Sequence, residues 1–331
     1  MIERRVFGRT GLSVGALGFG CGAVGGLMVR GNAADQERAV TRAIEAGVNY
    51  FDTAASYGDG EYERNLGRVL RSLLADVFVG TKVRVRDADR GRIGEAVTAS
   101  LDASLKRLGR DSVDLFQLHN PITRIGTAPD MEPAMVLDKV VPALERLRDQ
   151  GKARFIGITG IGDSQALREV IDSGHIDSAQ VPLNLLNPSP MAPLSPGFPA
   201  HDFGQIMLHA KMAEVAVIGI RALAAGALSG EAARHGIAMP QVDPIGTAAS
   251  YNADLVHAQK FLALVAEGHA GSLVEAALRY TISNEAMSTV LVGFSDMQHL
   301  EDAIAAIAKG PLSSKAMDRI TALQHEIGDG R

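Results

Sequence analysis

A chain of 331 residues, 46% of them hydrophobic, is long enough for one large α/β domain or two ordinary ones and apolar enough to bury a sizeable core. Its 33 lysines and arginines against 38 aspartates and glutamates leave a net charge of -5 without a long run of either sign, which argues against nucleic acid or an anionic membrane as partner. The single cysteine, Cys21, excludes an internal disulfide, and no apolar stretch follows the basic start MIERRVFGRTG or reaches membrane-helix length, so a cytoplasmic protein is expected.

In chain order, Arg4 to Val14 reads as two short extended pieces about the turn signal Gly8-Arg9-Thr10-Gly11. Apolar runs of strand length then alternate with helix-period segments. The expected strands are Ala16 to Gly20, Val48 to Asp52, Val77 to Thr81, Val113 to Leu118, Arg154 to Ile158, Ser178 to Val181, Val215 to Ile220 and Thr289 to Val292. Between them, Ile93, Val97, Leu101, Leu105 and Leu108 repeat at helical spacing and stop at Gly109, a natural C-cap. Leu144 and Leu147 lead to Gly151 in the same way, with Pro142 tolerable only near that helix's first turn. Ser272 to Glu275 and Ser295 to Gln298 have capping-box spacing, which predicts helices opening at those serines.

A strand followed by a helix eight times over, with strands apolar enough to be buried on both faces, predicts a closed (β/α)8 barrel with an N-terminal β-hairpin. No composition shift marks a boundary, so residues 1–331 are expected to form one barrel domain. Three connections are longer than a barrel needs: Asn120 to Pro133, Leu185 to Ala200 and Ala222 to Gly271. All follow strands, on the side where barrels keep their chemistry, and are the expected substrate-pocket loops. Pro188, Pro190, Pro193, Pro196 and Pro199 make the second a stiff wall rather than a helix.

Three strands end on ionisable residues: Asp52, Lys82 and His119. Tyr57 follows five positions after Asp52, on a polar loop. An unperturbed tyrosine titrates near 10, so a phenol that exchanges a proton at neutral pH needs a nearby ammonium to favour the phenolate and a carboxylate to hold that ammonium. Tyr57, Lys82 and Asp52 supply those parts, and His119 is placed to donate to a substrate oxygen. Each alone has a blander reading as a surface phenol, a snorkelling lysine or a turn cap; three successive strand ends together favour chemistry. A rival motif, Gly20-Cys-Gly-Ala-Val-Gly25, matches a dinucleotide-fold fingerprint after a strand. That fold needs a helix opening inside the glycines, yet Gly26, Gly31 and Asn32 intervene and helical periodicity begins only near Asp35. The histidines show no metal-ligand spacing and no serine sits in a G-x-S-x-G elbow, so neither a metal nor hydrolase chemistry of that type is expected.

The stretches FDTAASYG, VGTKV, VDLFQLHNP, GKARFIGIT, AQVPLN and VLVGFSDMQHLED, in this order, resemble the aldo-keto reductase superfamily over almost the whole chain, with a looser likeness to its bacterial aldose and pyridoxal dehydrogenases. The resemblance implies a catalytic tetrad of Asp52, Tyr57, Lys82 and His119, direct hydride transfer to or from a nicotinamide, and Tyr57 as general acid or base. It implies a cofactor cradle of Gly20, Cys21, Gly22, Asp52, Thr159, Gln180, Arg221, Leu223 and Gly226, with Gly293, Ser295, His299 and Asp302 around the adenosine. The implied reaction interconverts an aldehyde, ketone or sugar lactol and an alcohol or lactone. The alternative is a nucleotide-sensing or scaffold barrel with little turnover, against which the intact tetrad argues.

Departures from the family pattern narrow this. Thr159-Gly160 stands for a usual Ser-Asn and Leu183 for a common tyrosine, leaving Gln180 more of the carboxamide anchoring. Gly293 and His299 replace a lysine and arginine that grip a 2'-phosphate, so NAD or NADP is expected with a tilt to NAD. With no Trp and 5% aromatic residues, a small polar carbonyl substrate is expected. Substrate identity, direction and oligomeric state, a homo-oligomer included, stay open.

Overall fold

The computed structural model describes residues 1–329. Strands β1 (Arg4–Val6) and β2 (Ser13–Gly15) pair antiparallel as the expected hairpin. The barrel strands follow as β3 (Leu17–Gly20), β4 (Tyr50–Asp52), β5 (Phe78–Val83), β6 (Val113–Leu118), β7 (Ala153–Thr159), β8 (Ser178–Pro182), β9 (Ala216–Ile220) and β10 (Met287–Val292). All eight close in chain order, β10 pairing with β3. Every end lies within two residues of the sequence expectation.

Alternation along each strand sorts the side chains. Val79, Val83, Phe116 and Leu118 point outward into the large core shared with the helical layer. Tyr50, Leu115, Ala216, Ile218 and Leu291 point inward and meet Phe7 and Val14 of the hairpin. Phe7 is buried beneath the barrel at its N-terminal end, so the interior is filled from below. Burying one such side chain contributes roughly 1.5–3 kcal/mol. The ionisable strand-end groups Asp52, Lys82 and His119 are left to the C-terminal mouth.

The helical layer adds two features that the sequence reading did not foresee and corrects one, the cap expected at Ser295. Helical backbone begins well before Pro142: Pro133–Met135 runs into a wider turn at Val136–Val140 and then Val141–Asp149. The i→i+5 pairing of that turn tolerates the proline's missing N–H in mid-segment. The third long connection carries its own helix, Tyr251–Lys260, capped by the Ser250 hydroxyl. Asp296, not Ser295, caps the helix Met297–Ala308 by accepting from the His299 amide, while the Ser295 hydroxyl donates to the Gly25 carbonyl at 2.8 Å.

Candidate active site at the barrel mouth

The ends of β4, β5 and β6 bring Asp52, Lys82 and His119 to one rim, and the single-turn segment Tyr57–Gly60 returns Tyr57 above them. Lys82 is 1% exposed and Asp52 4%, so each needs partners inside the protein. The ammonium donates to Asp52 Oδ1, to the Thr53 carbonyl at 2.8 Å and to the Tyr57 hydroxyl at 3.5 Å. Burial alone would push Lys82 down; the Asp52 carboxylate and the Tyr57 phenol outweigh it and hold the ammonium above the ordinary lysine value.

Asp52 is held from its other side as well. Its Oδ2 accepts from the Tyr50 hydroxyl at 3.0 Å, the Gln180 amide at 2.8 Å and the Gln117 amide at 3.4 Å. Burial, then the adjoining carboxylate, keeps Tyr50 protonated and therefore a donor. Tyr50 and Gln117 were not among the expected site residues. Their signal was present in the spacing: each precedes a rim residue by two, on the same face of its strand. Gln180, one of the expected residues, thus spends one amide N–H on Asp52 and keeps its carbonyl oxygen and second N–H for other partners.

The His119 imidazole packs edge-on to Tyr57 with ring centres 5.6 Å apart, and Ser56 Oγ lies 3.5 Å from its Nδ1. Burial, then Lys82 and Arg84, lowers its pKa to about 3. The ring is therefore neutral at physiological pH, with one nitrogen a donor and the other an acceptor. Cys21 is buried beside this cluster, its backbone N–H donating to the Asp52 carbonyl at 2.8 Å. Burial and the Asp52 charge push its thiol up, so it acts as a small neutral side chain.

The remaining expected residues lie on three loops around this rim. Gly20 ends β3, and a Cβ built on Gly22 would meet nothing within 4 Å. Gly25 and Gly26 serve loop packing: a Cβ would stand 2.6 Å from Phe294 backbone atoms at Gly25 and 2.1 Å from the Ile237 carbonyl at Gly26. With a closed barrel around it, the glycine motif belongs to no dinucleotide fold. Arg221, Ala224 and Ala225 all have positive φ, at 60°, 45° and 58°, a concentration of left-handed non-glycine backbone beside Gly226 that marks a strained turn. Leu223 packs on the core edge, and Leu183 is fully buried.

From that turn the chain continues as a strap that ties the end of β9 to the glycine loop after β3. Arg30 donates to the Ile237 carbonyl at 2.5 Å and to Ala23 at 2.8 Å, the Met239 amide donates to Val24 at 3.0 Å, and Arg221 reaches the Asp243 carbonyl at 3.1 Å. His235 lies 3.3 Å from Asp296 and packs edge-on against His299 with ring centres 5.6 Å apart. Gly293 and His299 are exposed at this edge, and Asp302 accepts from Gln298 one turn along the helix.

The arrangement has counterparts among known proteins. The model of the aldo/keto reductase family matches residues 16–325. L-galactose dehydrogenase of Arabidopsis thaliana is 30% identical over 97% of this chain and 92% of its own length. The D-threo-aldose 1-dehydrogenase of a Pseudomonas species is 32% identical over 52% of this chain and 57% of its own. In fold, the holo form of an aldo-keto reductase from Bacillus halodurans matches with a TM-score of 0.73 at 24% identity, over 98% of this chain and 96% of that one. A closed parallel barrel plugged by a hairpin, ionisable strand ends gathered at its mouth and a family match across nearly the whole sequence lead to one conclusion: the chain belongs to the aldo/keto reductase family of oxidoreductases, which act on carbonyl compounds and alcohols.

Proposed function

We propose that this chain is an NAD(P)-dependent oxidoreductase that interconverts an aldehyde, ketone or sugar lactol and the corresponding alcohol or lactone, with Tyr57 exchanging the substrate's proton. The observation that carries this reading is the buried chain of contacts from Asp52 through Lys82 to the Tyr57 hydroxyl, with neutral His119 against the same phenol. Lys82 stabilises the charge that develops on the phenol oxygen as its proton leaves. Asp52 keeps Lys82 charged, and the His119 N–H orients the substrate oxygen toward Tyr57. A nicotinamide dinucleotide, when bound, supplies the hydride donor or acceptor.

The residues present suit such a cofactor. The Thr159 hydroxyl is buried without a hydrogen-bond partner, in register beside Gln180. A carboxamide is the kind of group that would satisfy it, since an unpaired buried hydroxyl is costly. Gly22 leaves the end of β3 open to close backbone approach. Residues 293–302 contain no lysine or arginine and place the Asp296 carboxylate at the helix start, which supports the tilt to NAD. A fluorescence titration should find NADH bound at least as well as NADPH; a preference for NADPH beyond about a hundredfold would overturn the tilt.

Tyr57→Phe should lower turnover by about a hundred- to ten-thousandfold while nucleotide affinity is retained. Unchanged turnover in that variant would remove the proton-transfer role, whereas nucleotide binding without turnover in the parent chain would favour the scaffold reading.

A further inference from the structure

The arginines after β5 divide into two kinds. Arg86, Arg90 and Arg92 each pair with an aspartate of the same segment, at 2.7, 3.2 and 3.2 Å. Arg84 is exposed and makes no hydrogen bond or ion pair among the described residues. Its backbone, in contrast, is held firmly. On one side the His119 amide donates to the Val83 carbonyl at 2.8 Å. On the other, the buried Asn120 side chain both accepts from Val85 N and donates to Val85 O, each at 2.8 Å.

Register fixes where Arg84 faces. Lys82 pairs with Gln117 and Val83 with Leu118, so Arg84 is the neighbour of His119. Lys82 and Gln117 both turn inward to Asp52, whereas Val83 and Leu118 lie in the outer core. By alternation Arg84 and His119 share the inward face, at the mouth. A cation on a clamped backbone, unpaired and next to the imidazole that meets the substrate oxygen, is arranged to receive an anion from outside.

We propose that Arg84 is a specificity-determining residue of the substrate site, and that the preferred substrates are carbonyl compounds bearing an oxyanion, carboxylate or phosphate, a few bonds from the reacting carbon. This rests on the oxidoreductase reading above and names its substrate class. Arg84 binds and orients the anionic end while Tyr57 and His119 meet the carbonyl.

The test compares kcat/KM within two matched pairs: succinic semialdehyde against butanal for the carboxylate, and glyceraldehyde 3-phosphate against glyceraldehyde for the phosphate. The wild-type chain should favour the anionic member of at least one pair by about tenfold or more, the scale of one charge-assisted hydrogen bond. The pair that responds identifies the oxyanion. Arg84→Met should remove most of that ratio and Arg84→Lys should restore part of it. Ratios near unity in the wild-type chain, or a ratio unchanged in Arg84→Met, would overturn the proposal while leaving the Tyr57 reading intact. If no aldehyde is turned over, quenching of bound NADH fluorescence by succinic semialdehyde and by glyceraldehyde 3-phosphate decides it. About tenfold weaker binding in Arg84→Met supports the subsite, and equal binding refutes it.

Discussion

The two ends of the site are built differently. At the end built on strand tips, Asp52 and Lys82 are almost fully buried and hydrogen-bonded to side chains from β4, β5, β6 and β8. The other end is made of loops: Gly20 to Arg30, the strap through Ile237 and Met239, and the exposed edge from Gly293 to Asp302. Its contacts run largely through backbone carbonyls and partly exposed arginines. The barrel thus pre-assembles the groups that must be placed accurately. The loops keep the freedom that admitting and releasing a large ligand requires.

The sharpest way to break this contrast is to unpair the buried charges. Asp52→Asn removes the counter-charge and one of two acceptor oxygens, so an NH2 group faces either the Lys82 ammonium or the donors Tyr50, Gln117 and Gln180; it should destabilise by about 3–5 kcal/mol in urea unfolding. Lys82→Met should cost less, because Asp52 keeps its donors from Tyr50, Gln117 and Gln180. The reverse order would mean that those donors do not hold the carboxylate.

Acid should weaken the strand-end cluster selectively. The unfolded chain takes up a proton on His119 near the ordinary 6.5, whereas the folded site stays neutral down to about 3. In that interval the unfolded state binds more protons, so the stability contributed by the neutral ring is full above about 6.5 and falls as pH drops toward about 3. Chemical denaturation across that range should show a shallower acid loss in His119→Asn than in the parent chain. Parallel curves would place the imidazole in an ordinary solvated setting.

The smallest expected effect is at the loops. Arg30→Ala removes two bonds that tie the strap to the glycine loop. Stopped-flow release of NADH should quicken by about tenfold, with unfolding stability changed by no more than about 1 kcal/mol, since the guanidinium is partly exposed. A large loss of stability without faster release would make the strap part of the fold itself and erase the distinction between the two ends.

Much of this was legible beforehand. The eight strands, the hairpin and the rim positions of Asp52, Lys82 and His119 follow from local patterns: apolar runs of strand length, turn residues and ionisable strand ends. The cap at Asp296 was misread, and the wide turn before Pro142 and the helix at Tyr251 were not foreseen. Each depended on which of several locally acceptable partners the packed structure selected.

By itself, then, the order of residues determined a parallel barrel and the chemistry available at its mouth, because alternation and capping are short-range and act within one segment. The tertiary structure alone decided that Gln180 faces Asp52, that Tyr50 and Gln117 join the same carboxylate, and that Arg84, unlike its neighbours, finds no hydrogen-bond or ion-pair partner among the described residues. Those outcomes depend on the register between strands far apart in the chain. Closing the barrel fixes that register, and no single segment carries it.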